Sequence, residues 1–251
     1  MTSDLRSFYK QIAKDNYNYI KSIKLNIPKT YFIETIKIEN ISTNKPIIKF
    51  LKTTTLDAVD DIMLEDSNSK ISILNFANGI YPTGGYLNGA IAQEEDLCRR
   101  MPTLASSLFM ANKNGLFPFG ASSEKYSSVF YTKNVPIIRD KNLNIVESNK
   151  WIYVDVISAV APNINSDQEL DINKFFQTIT NIFLTPKKLS DSNIIIIGAI
   201  GCGAFGNDPK IISKLFNIAI KNGLANGYEK VYFAIPPGIN YDVFYTNIQQ
   251  L

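Results

Sequence analysis

The stretch ISILNFANGIYPTGGYLNGAIAQEED, residues 71–96, decides the fold of this chain. Its first six residues, 71–76, are largely apolar and predict a buried β-strand. The segment 77–89 is rich in Gly, Asn and Pro and predicts a loop, and a helix is predicted over 90–112. A buried strand, a glycine-rich loop and a helix in this order are typical of an α/β fold that binds a ligand at one edge of its sheet.

A second segment, IIIIGAIGCGAFGND at residues 194–208, repeats this plan. The predicted strand, 193–200, shows no polar alternation, so we expect both of its faces to be covered. A second loop is predicted over 201–207 and a helix over 208–222, with Pro209 near the first helical position. The repetition predicts that two glycine loops follow two neighbouring parallel strands.

Two glycine loops at the same edge of a sheet favour phosphate binding. Glycines let backbone N–H groups approach a ligand closely, and a helix N-terminus adds a partial positive charge. A diphosphate is the ligand that this arrangement suits. The alternative is that the glycines only form tight turns, and a single loop would not separate the two interpretations.

The remaining chain alternates strands and helices without a linker-like change of composition and without an internal repeat. Helices are predicted over 3–22, 56–64 and 169–184, and strands over 31–38, 47–51, 129–132, 151–157 and 231–235. We therefore predict one α/β domain over residues 1–251, with a mixed sheet between helix layers. Residues 1–45 or so form an N-terminal helical and strand extension packed on it.

The composition excludes several classes of protein. The chain has 251 residues, 45% of them hydrophobic and 20% charged, which is typical of a folded protein with a core. A formal net charge of +3 is too small to indicate a nucleic-acid partner. No apolar run reaches the roughly 18 residues of a membrane span, and no secretory signal is visible. Since two cysteines without a signal fit a reducing compartment, we expect a cytoplasmic protein with no membrane partner.

The chain contains no histidine. This excludes Ser-His-Asp and Cys-His nucleophile systems as well as histidine-based zinc sites. Proton transfer near neutral pH then depends on carboxylates, lysine, tyrosine or water. The two cysteines, Cys98 and Cys202, have no histidine to activate them, and we interpret both as packing residues.

Three acidic residues, Glu94, Glu95 and Asp96, follow Gln93 at the start of the helix after the first glycine loop. Carboxylates are stabilised in the first turn of a helix by its dipole, which needs no function. Their place directly after a candidate phosphate loop favours a catalytic role as well. Burial under a bound nucleotide would raise the pKa of a glutamate toward neutrality and let it act as an acid.

A phenylalanine, Phe205, lies between glycines in the second loop. A large aromatic side chain is not needed for turn geometry, so Phe205 is a candidate to stack on or orient a ligand ring. The alternative is that its ring packs into the core.

Five ordered blocks of sequence resemble the microbial type of poly(ADP-ribose) glycohydrolase. The blocks are NFAN (75–78), GGYLNGAIAQEEDLCRR (84–100), VPIIRD (135–140), VDVISAVAPN (154–163) and GAIGCGAFGNDP (198–209). The family signature is a glycine triplet, then about six to eight residues, then Gln-Glu-Glu, and here seven residues separate Gly85 from Gln93. The resemblance runs from about residue 50 to residue 235.

The resemblance implies a macrodomain-like three-layer α/β/α fold with a mixed, mostly parallel central sheet that binds ADP-ribose. It implies that Glu95 is the general acid and base and that Glu94 holds the ribose beside the bond to be cleaved. The implied substrate-binding residues are Asn75, Asn78, Thr83, Gly84, Gly85, Gln93, Gly201, Cys202, Gly203, Ala204, Phe205 and Gly206. Neither a metal nor a cofactor is expected, and the expected partners are poly(ADP-ribose) or ADP-ribosylated proteins.

Two residues depart from the family pattern. Thr83 replaces the first glycine of the triplet, and Tyr81 stands before the proline, where asparagine is common. A Cβ at position 83 would narrow the approach of the backbone to a ligand. The resemblance implies that the chain cleaves ribose–ribose bonds of poly(ADP-ribose), and the two departures leave two alternatives open. These are a hydrolase that removes a single ADP-ribose from a protein side chain and a reader that binds ADP-ribose without hydrolysis.

Overall fold

The centre of the structure is a β-sheet. The structure is a computed structural model that describes residues 3–37 and 42–248. The described residues form seven strands: β1 (Thr30–Ile33), β2 (Ile47–Leu51), β3 (Ile71–Phe76), β4 (Val129–Ile137), β5 (Ile152–Ala159), β6 (Ile194–Ile197) and β7 (Lys230–Ala234). They lie in the order β1-β4-β5-β3-β6-β7-β2.

Most neighbouring strands are parallel. Strand β3 lies at the centre between β5 and β6 and is parallel to both. Strand β6 is parallel to β7, and β7 is parallel to β2. Strand β4 is antiparallel to both β5 and β1. The mixed, mostly parallel sheet is thus confirmed, and the carboxyl ends of β3, β5, β6 and β7 meet at one edge.

Helices cover both faces of the sheet. In the described residues they are α1 (Ser3–Ser22), α2 (Thr55–Glu65), α3 (Gln93–Arg100), α4 (Pro102–Lys113), α5 (Ile172–Leu189), α6 (Pro209–Lys221) and α7 (Ile239–Ile248). The apolar side chains of α2, α3 and α4 pack on one face of the sheet, and those of α5, α6 and α7 pack on the other. This confirms the three-layer fold. Within the described ranges, no helix combines the length and the apolar character that crossing a membrane requires.

Strand β6 shows why the sheet is buried on both sides. Its four isoleucines are each at most 1% exposed. Ile195 and Ile197 belong to the cluster under α5, α6 and α7, whereas Ile194 and Ile196 belong to the cluster under α2, α3 and α4. Burying one such side chain contributes about 1.5–3 kcal/mol. The prediction that both faces of this strand are covered is confirmed.

The single helix predicted over 90–112 is wrong. Helix α3 begins at Gln93, and the chain then bends at Met101 (φ −121°, ψ 68°) before α4 begins at Pro102. Proline has no N–H group, and its ring disfavours the helical conformation of the preceding residue. The break frees the carbonyl of Arg100, which accepts hydrogen bonds from two backbone N–H groups of the segment after β4.

Three strands differ by more than two residues from the predicted lengths, and one of them, β6, ends at Ile197 rather than at the predicted residue 200. The strand predicted over 31–38 ends at Ile33, and Ile38 lies outside the described residues. Strand β4 continues to Ile137, well beyond the predicted 129–132, because a bulge after Thr132 lets it pair further with β5. Bulges add an unpaired residue, which ordinary alternation does not reveal.

Helix α7 was not predicted. Its sequence, INYDVFYTNI, mixes apolar and polar residues without a clear stripe at helical spacing. It is stabilised by tertiary packing instead, since Phe244 and Ile248 are fully buried in the cluster with α5 and α6.

Candidate functional site

The two glycine loops lie side by side at the carboxyl edge of the sheet. The first glycine loop, residues 77–92, joins β3 to α3, and the second glycine loop, residues 198–208, joins β6 to α6. A cavity of about 320 Å³ opens between them. Its walls include Phe76, Ala77 and Gln93 on the first side, Gly201, Gly203, Ala204 and Phe205 on the second, and Ile235 and Asn240 beyond β7.

Gln93 attaches the start of α3 to the end of β3. Its Oε1 accepts a hydrogen bond of 2.9 Å from the N–H of Phe76. Its Nε2 donates to the carbonyl of Leu74 at 2.7 Å and to Oγ1 of Thr55 at 3.1 Å. Gln93 therefore attaches the first turn of α3, and with it the two glutamates that follow, to the end of β3. Gln93 itself lines the cavity, whereas the lining includes neither Glu94 nor Glu95.

Glu94 is buried beneath the first glycine loop and is 3% exposed. Its Oε2 accepts a hydrogen bond from the N–H of Asn78 at 2.9 Å, and its Oε1 accepts one from Nδ2 of Asn75 at 3.2 Å. Nδ2 of Asn75 also donates to Ser158 on β5 at 3.0 Å. Burial raises the pKa of Glu94 to about 8 against the lowering effect of these two hydrogen bonds, and the neighbouring carboxylate of Glu95 raises it further.

Glu95 is 6% exposed, and its carboxylate lies against the first glycine loop. Its Oε1 accepts a hydrogen bond of 2.7 Å from the N–H of Gly85. Its Oε2 is buried and has no hydrogen-bond partner among the described residues. A buried carboxylate oxygen without a partner is costly, and such groups are concentrated at functional sites. The Glu95 carboxyl thus has one oxygen that the loop holds in place and one buried oxygen that has no partner among the described residues.

Gly84 lies directly above both carboxylates. A Cβ built on Gly84 would lie 2.6 Å from Oε1 of Glu95 and 3.1 Å from Oε2 of Glu94. Its φ of +54° is also in the left-handed region that glycine adopts readily. The position therefore requires glycine for two separate reasons.

Thr83 lies inside the protein. It adopts a φ of +68° and is only 1% exposed. A threonine with positive φ is strained, and such strain clusters at functional sites. The lining of the cavity does not include Thr83. In this structure its Cβ is therefore packed within the protein rather than exposed to a ligand.

The second glycine loop differs because its backbone is open to the cavity. The N–H groups of Gly203, Ala204 and Phe205 have no acceptor among the residues that the structure describes. Gly203 and Ala204 are exposed, and both line the cavity together with Phe205. Successive free N–H groups that face a cavity form an anion-binding surface.

Asn207 holds the second glycine loop in this conformation. Its side-chain Nδ2 donates to the carbonyl of Pro162 at 2.7 Å and to that of Gly201 at 3.1 Å, and its N–H also donates to Gly201. Gly201 has a φ of +76°, and a Cβ there would collide with Ala161 and Asn207. The loop is thus closed on itself by one buried asparagine.

The N-termini of the two helices that follow the glycine loops are occupied differently. The carboxylate of Asp208 caps α6 by accepting from the N–H of Lys210 at 2.8 Å. Helix α3 has Ala92 at its N-cap and no side-chain cap, and Glu94 and Glu95 in its first turn accept from N–H groups of the first glycine loop instead. Because acidic side chains at the start of a helix disfavour an anion there, the unpaired N–H groups of the second loop are the better candidates for anion binding.

The family of the chain is decided by a comparison with protein families. The family model described as the catalytic domain of microbial-type PARG, poly(ADP-ribose) glycohydrolase, matches residues 3–140, which is more than half of the chain. The chain belongs to this microbial-type PARG family. A search among curated proteins found no match.

Solved structures of bacterial PARG share the fold. One is the Thermomonospora curvata enzyme bound to the inhibitor ADP-HPD, at 21% identity and a TM-score of 0.80, over 96% of this chain and 99% of that one. Another is the Deinococcus radiodurans enzyme in complex with ADP-ribose, at 20% identity and a TM-score of 0.72, over 100% of this chain and 93% of that one. At this level of identity the likeness shows a common fold.

The residues that the PARG signature selects fall into two groups in the structure. Asn75, Asn78, Thr83, Gly84, Gly85, Gln93, Glu94 and Glu95 form one cluster around the first glycine loop, whereas Gly201, Gly203, Ala204 and Phe205 line the cavity. Cys202 is half-buried, and its carbonyl accepts from Asn240 at 3.3 Å. Gly206 lies away from the cavity lining, and a Cβ there would collide with Asn165.

Both interpretations of Phe205 describe part of its environment. The residue is half-buried, and its ring packs against the apolar clusters on both faces of the sheet. It also lines the cavity. Phe205 therefore presents one part of its ring to the core and another to the cavity.

The two cysteines of this PARG have the properties of packing residues. Burial raises the pKa of Cys202 to about 12 and raises that of Cys98 well above its ordinary value. Both thiols remain protonated at neutral pH and are poor nucleophiles. In the described ranges no group of three or more metal-binding side chains lies together.

Thr54, Asp155 and Ile235 are candidates for adenine contacts only because they lie at the ends of predicted strands. Ile235 lines the cavity, and Thr54 caps α2 through its Oγ1. Asp155 lies elsewhere, because its carboxylate accepts hydrogen bonds from Tyr131 at 2.7 Å and from the N–H of Asn134 at 2.7 Å. Asp155 pairs with Ser72 in the early part of β3, far from the carboxyl edge of the sheet.

Two site residues were not selected from the sequence. Asn207 is the last residue of the loop predicted over 201–207 and is not among the predicted site residues, although an asparagine next to glycines is a common turn-stabilising residue. Asn240 lies on α7, the helix that was not predicted. Asn207 could thus have been selected from its place beside the glycines. Asn240 could not, because it lies on a helix that is stabilised by packing rather than by its own sequence pattern.

Proposed function

We propose that this PARG family member hydrolyses the O-glycosidic ribose–ribose bonds of poly(ADP-ribose) and releases ADP-ribose. The observation that carries the proposal is the Glu95 carboxyl, in which Oε1 accepts from Gly85 and Oε2 is buried without a partner. A carboxyl held in this way can keep its geometry while it gives and takes a proton. The bacterial PARG structures with ADP-ribose and ADP-HPD support the choice of substrate, because they share the fold.

In the proposed reaction, protonated Glu95 donates its proton from Oε2 to the ribose oxygen that leaves the anomeric carbon. The bond between that oxygen and the carbon breaks, and the ribose of the terminal unit becomes an oxocarbenium-like cation. A water molecule then attacks the anomeric carbon and gives its proton back to the Glu95 carboxylate. The products are free ADP-ribose and a polymer that is one unit shorter, and Glu95 returns to its protonated form.

Glu94 is proposed to hold the ribose next to Glu95. With a pKa of about 8, the carboxyl of Glu94 keeps its proton at neutral pH. A neutral carboxyl can donate and accept hydrogen bonds, so it suits a group that contacts ribose hydroxyls.

The second glycine loop is proposed to bind the diphosphate. The N–H groups of Gly203, Ala204 and Phe205 have no acceptor among the described residues and belong to residues that line the cavity, so they would supply donors for phosphate oxygens. The Phe205 ring, at the wall of the cavity, would orient the terminal ribose toward the first glycine loop. The reaction would then occur where the two loops meet.

The test is incubation of the protein with poly(ADP-ribose) and, separately, with a singly ADP-ribosylated protein, with the products identified by mass. Release of ADP-ribose from the polymer is expected. Release from the singly modified protein alone would replace the proposal with a mono-ADP-ribosyl hydrolase. ADP-ribose binding with no release from either substrate would indicate a reader.

The Glu95→Gln variant tests the catalytic residue. It removes the transferable proton but keeps the shape, so we expect a loss of turnover of about 1,000-fold with ADP-ribose binding preserved. Glu65→Gln is the matched control, because Glu65 is exposed at the end of α2 and remote from both loops. Normal turnover by Glu95→Gln would contradict the assignment.

We also propose that residues 1–251 act as one catalytic domain in which the N-terminal 45 or so residues are an integral layer. Helix α1 contacts α3, α4 and the 3-10 turn Tyr86–Asn88, and β1 pairs with β4. A cytoplasmic location is proposed on the cysteine content, which fits a reducing compartment. One cooperative unfolding transition, seen by both tyrosine fluorescence and circular dichroism, is expected for a single domain.

A further inference from the structure

The N-terminal helix α1 lies against the first glycine loop. Nε of Arg6 donates to the carbonyl of Asn88 at 3.0 Å. The backbone of Arg6 packs so closely against Gly89 that a Cβ at Gly89 would collide with the carbonyl oxygen of Arg6. The loop that carries the N–H donor to Glu95 is therefore supported from outside by a helix that precedes the sheet in sequence.

The strongest contact of α1 with this region is made by Asn16, which is 1% exposed. Its Nδ2 donates to the hydroxyl of Tyr86 at 2.9 Å and to the carbonyl of Arg99 at 2.9 Å. Its Oδ1 accepts from Nε of Arg139 at 2.6 Å. The side-chain amide therefore uses both of its N–H groups and its oxygen, in a buried setting where an unmade hydrogen bond is costly.

The two residues that accept hydrogen bonds from Asn16, Tyr86 and Arg99, lie before and after Glu95 in the sequence. Tyr86 follows Gly85, whose N–H binds Oε1 of Glu95. Arg99 lies four residues after Glu95, one turn further along α3. Asn16 thus joins the residue next to the donor of the Glu95 hydrogen bond to the helix that carries Glu95.

Arg99 reinforces the same connection. Its NH1 donates to the carbonyl of Ala90 at 2.6 Å, near the end of the first glycine loop. Its guanidinium lies 4.2 Å from the centre of the Tyr9 ring on α1. A cation above an aromatic ring is attracted by the negative face of the ring. Helix α1, the loop and α3 are therefore three parts of one connected unit.

We propose that Asn16 is a positioning residue for the glycosidic reaction, one that sets the distance between Gly85 and Glu95 from the other side of the loop. The inference rests on the proposed function of Glu95. Asn16 touches neither the cavity lining nor Glu95 and acts through Tyr86 and Arg99. Small displacements of catalytic groups cost turnover without removing the binding surface for the nucleotide.

The experiment compares Asn16→Ala with Asn181→Ala. Asn181 is also a fully buried asparagine on a helix, and its side chain hydrogen-bonds the backbone of Glu34, Ile36 and Ser127, none of which hydrogen-bonds the first glycine loop in the described residues. The two variants lose the same amide and a similar number of buried hydrogen bonds. Asn18→Ala, at an exposed position of α1, controls for changes to the helix itself.

The readouts are kcat on poly(ADP-ribose), the dissociation constant for ADP-ribose, and the urea midpoint of unfolding, all measured at a temperature at which every variant is folded. For Asn16→Ala we expect kcat to fall by about 100-fold while ADP-ribose binding changes by less than about 3-fold. Asn181→Ala is expected to lower the urea midpoint by a similar amount with kcat preserved. Equal losses of kcat in both variants would show a general loss of stability and overturn the proposal.

A double-mutant cycle adds a test that does not depend on stability. Tyr86→Phe removes the hydroxyl that accepts from Asn16. If Asn16 acts through Tyr86, the double variant loses little more kcat than Asn16→Ala alone, whereas independent residues give multiplied losses. Multiplied losses would contradict the proposed route. If the wild-type protein releases no ADP-ribose from polymer, the proposed function has failed, which the wild-type measurement separates from a failure of the Asn16 inference.

Discussion

The first and second glycine loops have the same plan in sequence and opposite environments in the structure. The first loop packs on side chains of α3. The carboxylate of Glu95 accepts a hydrogen bond from the N–H of Gly85, and that of Glu94 accepts one from the N–H of Asn78. The second loop is held by its own backbone and by Asn207, and its tip is exposed. Glycine spacing alone therefore does not tell a loop that positions a carboxylate from one that binds a phosphate.

The difference follows from what comes after each loop. The helix after the first loop begins with Gln93 and carries two glutamates whose side chains reach back to the loop. The helix after the second loop begins beyond Asp208, whose carboxylate caps the helix itself. Donors of the first loop are thus used inside the protein, whereas donors of the second remain for a ligand.

The largest expected effect that separates the loops is that of Gly84→Ala. The new Cβ would lie 2.6 Å from Oε1 of Glu95, at a φ that disfavours any side chain. We expect the Glu95 carboxyl to be displaced and kcat to fall by about 1,000-fold, comparable to the loss of a catalytic donor. Measurement of kcat beside circular dichroism of the variant checks this. Activity near the wild-type level would mean that Glu95 does not need the geometry seen here.

The next effect concerns the pH dependence of stability through Glu94. Its pKa is about 8 in the folded chain against an ordinary value of 4.5, so the folded state binds the proton more tightly than the unfolded state. The stability that this provides is present below about pH 4.5 and is lost as the pH rises toward 8. The glutamine side chain of the Glu94→Gln variant cannot ionise. As the pH rises from about 4.5 to 8, the free energy of unfolding of the wild type should therefore fall by a few kcal/mol relative to that of the variant.

Urea denaturation of both proteins at several pH values from 5 to 8, as a rough span, checks the Glu94 prediction. Glu65→Gln serves as the control, because an exposed carboxylate should leave the curve parallel to the wild type. Parallel curves for Glu94→Gln as well would show that Glu94 is ionised at neutral pH in the folded protein.

A smaller effect is expected in the second loop for Phe205→Ala. Removing the ring takes away a wall of the cavity, and loss of one aromatic contact costs about 1–3 kcal/mol of binding. The dissociation constant for ADP-ribose should rise about 10- to 100-fold, as measured by calorimetry. A loss of thermal stability without a change in ADP-ribose binding would assign Phe205 to the core alone.

The smallest effect is expected for Gly203→Ala, the counterpart of Gly84→Ala in the other loop. A Cβ at Gly203 meets nothing within 4 Å, and no positive φ is recorded there. We expect the free energy of unfolding to change by less than about 0.5 kcal/mol, as for other unconstrained surface positions. ADP-ribose affinity should change less than in Phe205→Ala. A large loss of stability would show that the second loop is as tightly packed as the first.

Parts of the fold could be predicted residue by residue. Strands β2 and β3 and helix α1 have the predicted bounds, because continuous apolar runs and helical spacing leave few alternatives there. The break at Met101 could have been predicted from Pro102 alone, since proline disfavours a helix at the preceding residue. Helix α7 could not, because its burial comes from contacts with α5 and α6 rather than from its own pattern.

The candidate site divides in the same way. The absence of histidine and the order Gln93, Glu94, Glu95 after a glycine loop select carboxylate chemistry at this position from sequence alone. That the N–H of Gly85 binds one oxygen of Glu95 while the other has no partner depends on backbone conformation in the folded loop. The hydrogen bonds of Asn16 reach Tyr86 and Arg99, which are 70 and 83 positions away in the sequence, and no local sequence pattern predicts contacts over such separations.

By itself, the amino-acid sequence determined the layered α/β class, the two glycine loops at one edge of the sheet and the type of side chain available there to move a proton. Hydrophobic periodicity and residue chemistry are local properties, so they can be recognised along the chain. Only the tertiary structure decided which loop donates N–H groups to carboxylates of the protein and which has N–H groups with no acceptor among the described residues. Directional hydrogen bonds depend on atoms that meet only after folding, and the burial of Glu94 that raises its pKa is likewise a property of the packed molecule.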